Sequence, residues 1–261
     1  MNKQMRLITA ILSATVLLIA ACATEPRSNE PVKTTTADTG TAVVPPAKEV
    51  KKRGQALVRF IHALPGERAM DTWVDADKPF TKVEYKIVTA YQEVPGTNHT
   101  FSVRPTGETT AQPILENKES LGEGKHYTIV AMSGSYQAVP TLRIINDNLT
   151  PPASGKAKLR AINASPDAGK IDVYVQSKDN TFFNKDKALF DFVNPNSETS
   201  YTEVEPANIT LEVRPTGQKN VLLTVPNLKI EVGKIYTIVI TGRTKYEPYL
   251  EAVLVEDQLG G

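Results

Sequence analysis

An internal duplication is the feature that most constrains how this chain can fold. Residues 103–107 (Val-Arg-Pro-Thr-Gly) recur unchanged as 213–217, which places the two copies 110 positions apart. The run 124–130 recurs 109 positions later as 233–239 with a single substitution, His126 to Ile235. Self-similarity at a fixed separation is the signature of a repeated structural unit. The sequence therefore predicts two units of one fold.

Further matches near the start of each copy define the extent of the two units. These matches lie 101 positions apart and pair Arg59, Ile61, Ala63, Pro65, Asp71 and Val74 with Arg160, Ile162, Ala164, Pro166, Asp172 and Val175. We therefore expect one domain at 54–150 and a second at 155–261. The short, proline-containing segment between them is expected to limit their relative orientations.

The pattern inside each unit is that of β-strands. β-Branched and aromatic residues crowd 57–63, and apolar and charged residues alternate over 82–87, as in a half-buried strand. The runs 127–131 and 236–240 are apolar on both faces except for threonine, which is typical of a central strand. Residues 104–107 (Arg-Pro-Thr-Gly) suit a type I turn with proline second and glycine fourth. We predict an all-β chain with two tandem immunoglobulin-like or transthyretin-like β-sandwich domains.

The first 21 residues have the layout of an export signal. Lys3 and Arg6 precede an apolar run, 7–21, that is short of the roughly 20 residues needed to span a bilayer. Residues 19–22 (Ile-Ala-Ala-Cys) resemble the lipobox of bacterial lipoproteins. That resemblance implies cleavage before Cys22, a diacylglyceryl thioether on its sulfur and an acyl chain such as palmitate on its amine. An uncleaved anchor, or an ordinary signal cut elsewhere, is the alternative.

The next segment, 22–53, differs in composition from the rest of the chain. It is rich in threonine and proline and has no aromatic residue, so it cannot bury enough apolar surface to offset its chain entropy. We expect a lipidated, disordered tether that holds the domains at the cell envelope. Ala23 follows the cysteine, and by resemblance to enterobacterial lipoproteins this favours the outer membrane if the host has two membranes.

Charge and cysteine content exclude several classes of function. The formal net charge is +1 and becomes −1 once the signal's Lys3 and Arg6 are removed, so general attraction to nucleic acid is not expected. Cys22 is the only cysteine, which leaves neither disulfides nor thiolate metal sites. His62, His99 and His126 form no short-range pair, and we predict neither a metal site nor a cofactor.

The motifs of the second unit resemble a family catalogued as domain of unknown function 4397. They are 163–167 (Asn-Ala-Ser-Pro-Asp), 171–175 (Ile-Asp-Val-Tyr-Val), 213–217 and 233–237. The resemblance implies an exported, often tandem domain with no established enzymatic site. The first unit departs from the pattern, because 62–66 (His-Ala-Leu-Pro-Gly) lacks its serine and aspartate, and Asn163 replaces the usual histidine in the second. Neither copy keeps all three together, so we expect no catalytic role for this motif.

The charged residues shared by both units suggest structural roles. Asp71 and Asp172 are expected to form turn hydrogen bonds or an ion pair within their own domain, the arginines Arg59 and Arg160 being the nearest shared cations. Arg104 and Arg214, which precede the Pro-Thr-Gly turns, are expected to cover the sheet with their stems and pair with an acid.

An insertion distinguishes the second unit from the first. The separation between copies rises from 101 to 110 positions, so about nine extra residues fall within 176–187. Insertions on a rigid sandwich often bind ligands, and Phe182 and Phe183 lie beside Asp179 and Asn180 in a pattern suited to stacking on a sugar. The alternative is a longer hairpin with one phenylalanine in the core.

Three functional hypotheses follow from these observations. The first is a lipid-anchored, non-catalytic envelope module that binds a protein or glycan, adheres, or has a structural role. The second is carbohydrate binding by the 176–187 loop, and the third and least favoured is an envelope hydrolase.

Overall fold

Strands rather than helices organise the chain, as the β-branched runs predict. A computed structural model describes residues 54–110, 112–134, 139–178, 182–184 and 186–257, together with the backbone of Thr41–Ala42. These residues lie in one compact unit, Val32–Gly261. No helix long and apolar enough to cross a membrane occurs in the described part of the chain. Cys22 lies outside the described residues, as does the tether apart from Thr41–Ala42.

The first sandwich contains two four-stranded sheets. Its strands are β2 (Gln55–Ala63), β3 (Met70–Val74), β4 (Asp77–Val83), β5 (Gln92–Pro95), β6 (Asn98–Pro105), β7 (Leu115–Ser120), β8 (His126–Met132) and β9 (Thr141–Asp147). Outer sheet 1 has the order β4-β3-β6-β7 and is antiparallel throughout. Inner sheet 1 has the order β5-β2-β8-β9, and its central pair β2–β8 is parallel. The all-β sandwich prediction is confirmed, and the parallel pair is a feature that the sequence did not indicate.

The second sandwich repeats this arrangement. Its strands are β10 (Ala157–Asn163), β11 (Ile171–Gln176), β12 (Phe190–Val193), β13 (Ser197–Glu198), β14 (Thr202–Val204), β15 (Ala207–Pro215), β16 (Leu223–Ile230), β17 (Ile235–Thr241) and β18 (Glu251–Asp257). Outer sheet 2 has the order β12-β11-β15-β16, and inner sheet 2 has the parallel pair β10–β17 at its centre. β13 and β14 both pair with β10, and β1 (Thr41–Ala42) adds a parallel edge to β18. These two residues are the part of the expected tether, 22–53, that the structure describes.

Three apolar layers bind the four sheets into one stack. Each sandwich has a core between its outer and inner sheets, built around Phe60 and Phe101 in the first and Leu159 and Leu211 in the second. A third layer joins the two inner sheets and contains Ile61, Val130, Met132 and Ile145 from the first sandwich and Ile162, Val239, Val253 and Val255 from the second. The central strands are therefore buried on both faces, which confirms the prediction made from their sequences. The packed face between the sheets, rather than the linker, fixes the relative orientation of the sandwiches.

Two local predictions were wrong, and backbone geometry gives the reason in each case. The alternating run 82–87 does not continue as a strand, because Lys82 (φ 51) and Lys86 (φ 70) are left-handed and β4 ends at Val83. The Arg-Pro-Thr-Gly turn starts one residue later than expected, because Pro105 still pairs in β6. The N–H of Glu108 donates to the Pro105 carbonyl, so Gly107 (φ 89) occupies the third position, where positive φ favours glycine.

Two ion pairs cross between the inner sheets at one end of the shared apolar layer. Arg59 on β2 bonds Asp257 on β18, and Arg160 on β10 bonds Asp147 on β9. All four side chains are essentially inaccessible to solvent. The arginine of each repeat therefore pairs with the aspartate of the other repeat. We call these two ion pairs the reciprocal Arg–Asp exchange.

Two threonines close the exchange into a ring of hydrogen bonds. Nε of Arg59 donates to the Thr128 hydroxyl at 2.9 Å, and that hydroxyl donates to Asp147 at 2.6 Å. In the second repeat, Nε of Arg160 donates to Thr237 at 2.8 Å, and Thr237 donates to Asp257 at 2.5 Å.

Two tyrosines complete the environment of the ring. Tyr91 donates to Asp147 at 2.7 Å and Tyr201 to Asp257 at 2.8 Å, and the guanidinium groups of Arg59 and Arg160 lie over these same two rings at 4.8 and 4.4 Å. Burial alone would raise the pKa of the Asp147 carboxyl, but the neighbouring arginines and the hydroxyl donors hold it below its usual value. Burial raises the pKa of Tyr91 and of Tyr201 well above the usual value, so both hydroxyls stay protonated as donors.

Removing one member of the exchange should destabilise the whole unit. We expect Arg59→Met to lower the free energy of unfolding by about 3–5 kcal/mol, because Asp257 would stay buried without its cation. The control is Arg143→Met. Arg143 also pairs with an acid of the other repeat, Glu198, but at a partly exposed position where the expected cost is about 0–1 kcal/mol. Urea denaturation measures both. Equal costs for the two variants would contradict a central role for the exchange.

Candidate functional site

Residues of the repeated loop motif form hydrogen bonds within their own loop. Nε2 of His62 lies 3.0 Å from the Arg68 carbonyl, and the N–H of Leu64 donates to Nδ1 at 3.3 Å. Asn163 makes the same two contacts in the second repeat, with Nδ2 donating to the Gly169 carbonyl at 2.8 Å and Oδ1 accepting from an N–H two residues on. An amide thus replaces an imidazole and keeps both hydrogen bonds, and Nδ2 of Asn163 adds a bond to the Val193 carbonyl at 3.2 Å, which identifies this position as structural.

The serine and aspartate of the second copy are also bound within the fold. The Ser165 hydroxyl is buried and donates to the Gly242 carbonyl at 2.8 Å. Asp167 accepts from both the N–H and the hydroxyl of Thr244, at 2.8 Å each. These bonds fasten the loop after β10 to the loop after β17.

The repeated aspartates form turn hydrogen bonds, as one of the sequence interpretations predicted. Asp71 accepts from the Lys82 N–H at 2.7 Å and from Thr106 at 2.9 Å, and it pairs with Lys78 at 3.0 Å. Burial alone would raise the pKa of Asp71, but these donors lower it. Asp172 accepts from the Thr216 hydroxyl at 2.8 Å.

A pairing of these aspartates with the repeated arginines is not found. Arg59 and Arg160 pair instead across the repeats, because their side chains point into the layer between the inner sheets. That correction removes them from any candidate site on the surface.

Arginine and aromatic side chains stack on both outer sheets. Arg104 lies 4.7 Å from the ring centre of Trp73, and Arg214 lies 4.1 Å from that of Tyr174. Arg214 also pairs with Glu212 at 2.6 Å, as the sequence predicted for an acid partner. The sequence did not indicate this stacking of guanidinium groups on aromatic rings.

The three histidines lie apart and have separate environments. His62 holds its loop, His126 packs edge-on against Tyr91, and His99 lies beside Asp75 on the first outer sheet. Burial lowers the pKa of His62 and of His126. Within the described ranges, no three His, Cys, Asp or Glu side chains come together as a metal site would require.

The two phenylalanines of the insertion have different surroundings. Phe183 is buried in the core of the second sandwich, whereas Phe182 keeps 45% of its surface exposed and meets Phe183 edge-on at 5.2 Å. The Lys156 ammonium lies 5.6 Å from the Phe182 ring centre. Asp179 and Asn180 lie outside the described residues. Of the predicted stacking pair, Phe182 alone is exposed.

A groove lies where this insertion leaves outer sheet 2, and we call it groove 2. Its volume is about 620 Å³. Its lining comes from the end of β11, from β15 and from β16 and comprises Gln176, Ser177, Lys178, Asn208, Ile209, Thr210, Glu212, Pro226 and Asn227. Gln176 donates to Glu212 at 2.6 Å, which fixes two of the lining side chains.

Outer sheet 1 has a smaller groove, which we call groove 1. Its volume is about 330 Å³, and it is lined by Asp75, Asn98, His99, Thr100, Lys118, Glu119 and Ser120. His99 forms its floor, with Nδ1 2.7 Å from Asp75 and Nε2 2.7 Å from the Pro95 carbonyl. The Thr100 N–H donates to Asp75, and this bond, followed by the contact with His99, lowers the pKa of that carboxyl. Both grooves have volumes within the roughly 300–1,000 Å³ range of ligand pockets.

Sequence reasoning overlooked the acids and tyrosines of the exchange. Asp147 and Asp257 are 110 positions apart, as are Tyr91 and Tyr201. The separation of the Val-Arg-Pro-Thr-Gly copies would therefore have found both pairs. The residues that flank these two pairs differ between the copies, so neither pair lies within one of the short sequence matches.

A family model matches part of the chain. No curated protein matches the chain. The model described as "Domain of unknown function (DUF4397)" matches residues 56–174, from β2 into β11, and so confirms the family resemblance over that segment. Residues 56–174 are therefore similar to the DUF4397 family, a domain of unknown function.

Proposed function

We propose that this chain is a lipid-anchored, non-catalytic binding module of a bacterial cell envelope. The observation that carries the proposal is a difference between the polar side chains of the repeated motifs and those of the two grooves. Those of the repeated motifs are bound within the fold, as at His62, Ser165 and Asp167, whereas Asn98 in groove 1 and Asn208 in groove 2 are exposed on the outer sheets. A rigid body with open polar grooves suits recognition of a ligand.

The proposed location at a membrane comes from the amino-terminal sequence. Cys22 follows an apolar export signal and is the only thiol in the chain. Two or more acyl chains on one residue hold a protein stably at a bilayer, whereas one chain holds it marginally. We therefore propose a lipid anchor at Cys22, with the outer membrane as its site if the host has two membranes.

A second candidate function is carbohydrate binding at the 176–187 insertion. Phe182 is a large exposed aromatic side chain, and the insertion begins at Ser177 and Lys178, which line groove 2. Aromatic faces stack on the apolar faces of sugar rings, while amides and hydroxyls bind their hydroxyl groups. The combination favours a sugar ligand for this end of the second sandwich.

The anchor is tested by substituting the only thiol. We expect Cys22→Ser to abolish labelling by an alkyne-bearing palmitate analogue and to release the protein from the membrane fraction, because no other thioether can form. Thr24→Ser, two residues on, is the control and should label like the parent. A Cys22→Ser variant that still labels and sediments with membranes would rule out the proposed anchor.

The sugar hypothesis is tested by removing the exposed ring. Phe182→Ala should weaken binding of the 32–261 fragment to any glycan-array ligand of the parent by about twofold to tenfold, the range expected for one aromatic contact. Phe183 is left intact, because its removal from the core would cost about 3–5 kcal/mol. Phe192→Ala is the matched control, since Phe192 is exposed on the same sandwich. Equal binding by all three proteins would exclude Phe182 from the site.

A further inference from the structure

Grooves 1 and 2 occupy equivalent places in the two repeats. Both lie on an outer sheet, at the start of the third strand in the order of that sheet. This strand is β6 in the first repeat and β15 in the second. Asn98 and Thr100 of groove 1 are 110 positions before Asn208 and Thr210 of groove 2, the separation of the Val-Arg-Pro-Thr-Gly copies. The same amide and the same hydroxyl thus line both grooves.

These shared side chains are available to a ligand. The Asn98 and Asn208 amides and the Thr100 and Thr210 hydroxyls form no side-chain hydrogen bond with any described residue. Alternation along the strand turns His99 and Ile209 inward, so the asparagine and threonine project together from the outer face. The other lining residues differ between the grooves, so the asparagine–threonine pair is their common chemical element.

The chemistry of this pair favours a neutral, hydroxyl-rich ligand. An asparagine amide offers two donors and an acceptor, and a threonine hydroxyl offers both a donor and an acceptor. Such groups match the vicinal hydroxyls of a sugar. The charged side chains nearby are of both signs, with Lys118 and Glu119 in groove 1 and Lys178 and Glu212 in groove 2. Neither groove therefore selects a ligand of one charge.

The four-sheet stack sets the grooves on opposite sides of the molecule. The inner sheets pack against each other through the third apolar layer, so each outer sheet faces away from the other repeat. One ligand strand cannot run through both grooves without passing around the stack. Two separate strands can each occupy one.

We propose that each repeat binds one strand of an uncharged glycan, so that one molecule of this protein links two glycan strands. This inference rests on the non-catalytic binding role and adds a ligand class, a second site and a bridging activity. The bridge is rigid, because the reciprocal Arg–Asp exchange and the apolar layer hold the repeats together.

The test counts binding sites with short glycans. The protein is the 32–261 fragment, which comprises the whole compact unit. The probes are uncharged hexasaccharides of the cello, xylo, malto, manno and N-acetylglucosamine series, titrated by calorimetry. We expect the parent to bind two equivalents of at least one probe. Asn98→Ala with Thr100→Val, and Asn208→Ala with Thr210→Val, should each bind one equivalent, and the fourfold variant none.

Bridging is measured with the polysaccharide that corresponds to the bound probe. Light scattering should rise with the parent and with the control Gln92→Ala, whose exposed side chain lies on β5 outside both grooves. It should stay at baseline with either double variant. Circular dichroism and the urea midpoint confirm that the variants remain folded.

The outcomes separate this inference from the function on which it rests. If no probe binds, the glycan assignment is wrong. If one equivalent binds and only one double variant removes it, bridging is wrong and a single-site module stands. If binding persists in the fourfold variant, the grooves are not the sites, whatever the envelope role of the chain.

Discussion

The reciprocal Arg–Asp exchange is the interaction on which the rest of the structure depends. Desolvating an arginine and an aspartate is costly, and a buried pair is tolerated only when its remaining donors and acceptors are bonded. Here Thr128 and Tyr91 satisfy Asp147, and their counterparts in the second repeat satisfy Asp257. Nη1 of Arg59 has no hydrogen-bond partner among the described residues, but the face of its guanidinium lies over Tyr91. These hydrogen bonds can all form only when the two repeats are in register. The exchange therefore selects one orientation of the repeats relative to each other.

That orientation explains why the central strands carry apolar residues on both faces. In β2 and β10, residues of one parity face the core of their own sandwich, and those of the other parity face the opposite repeat. Two isolated sandwiches would expose Ile61 and Val239 to water. The same constraint places the arginines at one end of a layer that is otherwise aliphatic, where each can reach an acid of the other repeat.

Strands and repeats could be predicted because their signals are local. Period-two alternation, the β-branched runs and the copied motifs all lie within a few residues of one another. The partners of Arg59 and Arg160 could not be found this way, because Asp257 and Asp147 lie in the opposite repeat, outside the reach of a local search. The strand over 82–87 failed for a related reason, since alternation of residue types does not exclude the left-handed backbone at Lys82 and Lys86.

The candidate site was only partly predictable from the sequence. The insertion was recognisable, but composition alone could not separate a core Phe183 from an exposed Phe182. Groove 1 is lined by one turn and two strands and groove 2 by residues of three strands, so no single motif marks either groove. Its asparagine–threonine pair becomes visible once the two sandwiches are compared strand by strand. The molecule thus divides into inner sheets that join the repeats and outer sheets that carry the two grooves.

The central claim is that the two repeats form a single cooperative unit. Differential scanning calorimetry of the 32–261 fragment tests it most directly, because a two-state unit has equal calorimetric and van't Hoff enthalpies of unfolding. We predict one transition with the two enthalpies equal, and a loss of that equality when Arg160→Met leaves Asp147 buried without its partner. Two resolved transitions in the parent fragment, or a calorimetric enthalpy about twice the van't Hoff value, would show that the sandwiches unfold independently and would contradict the account.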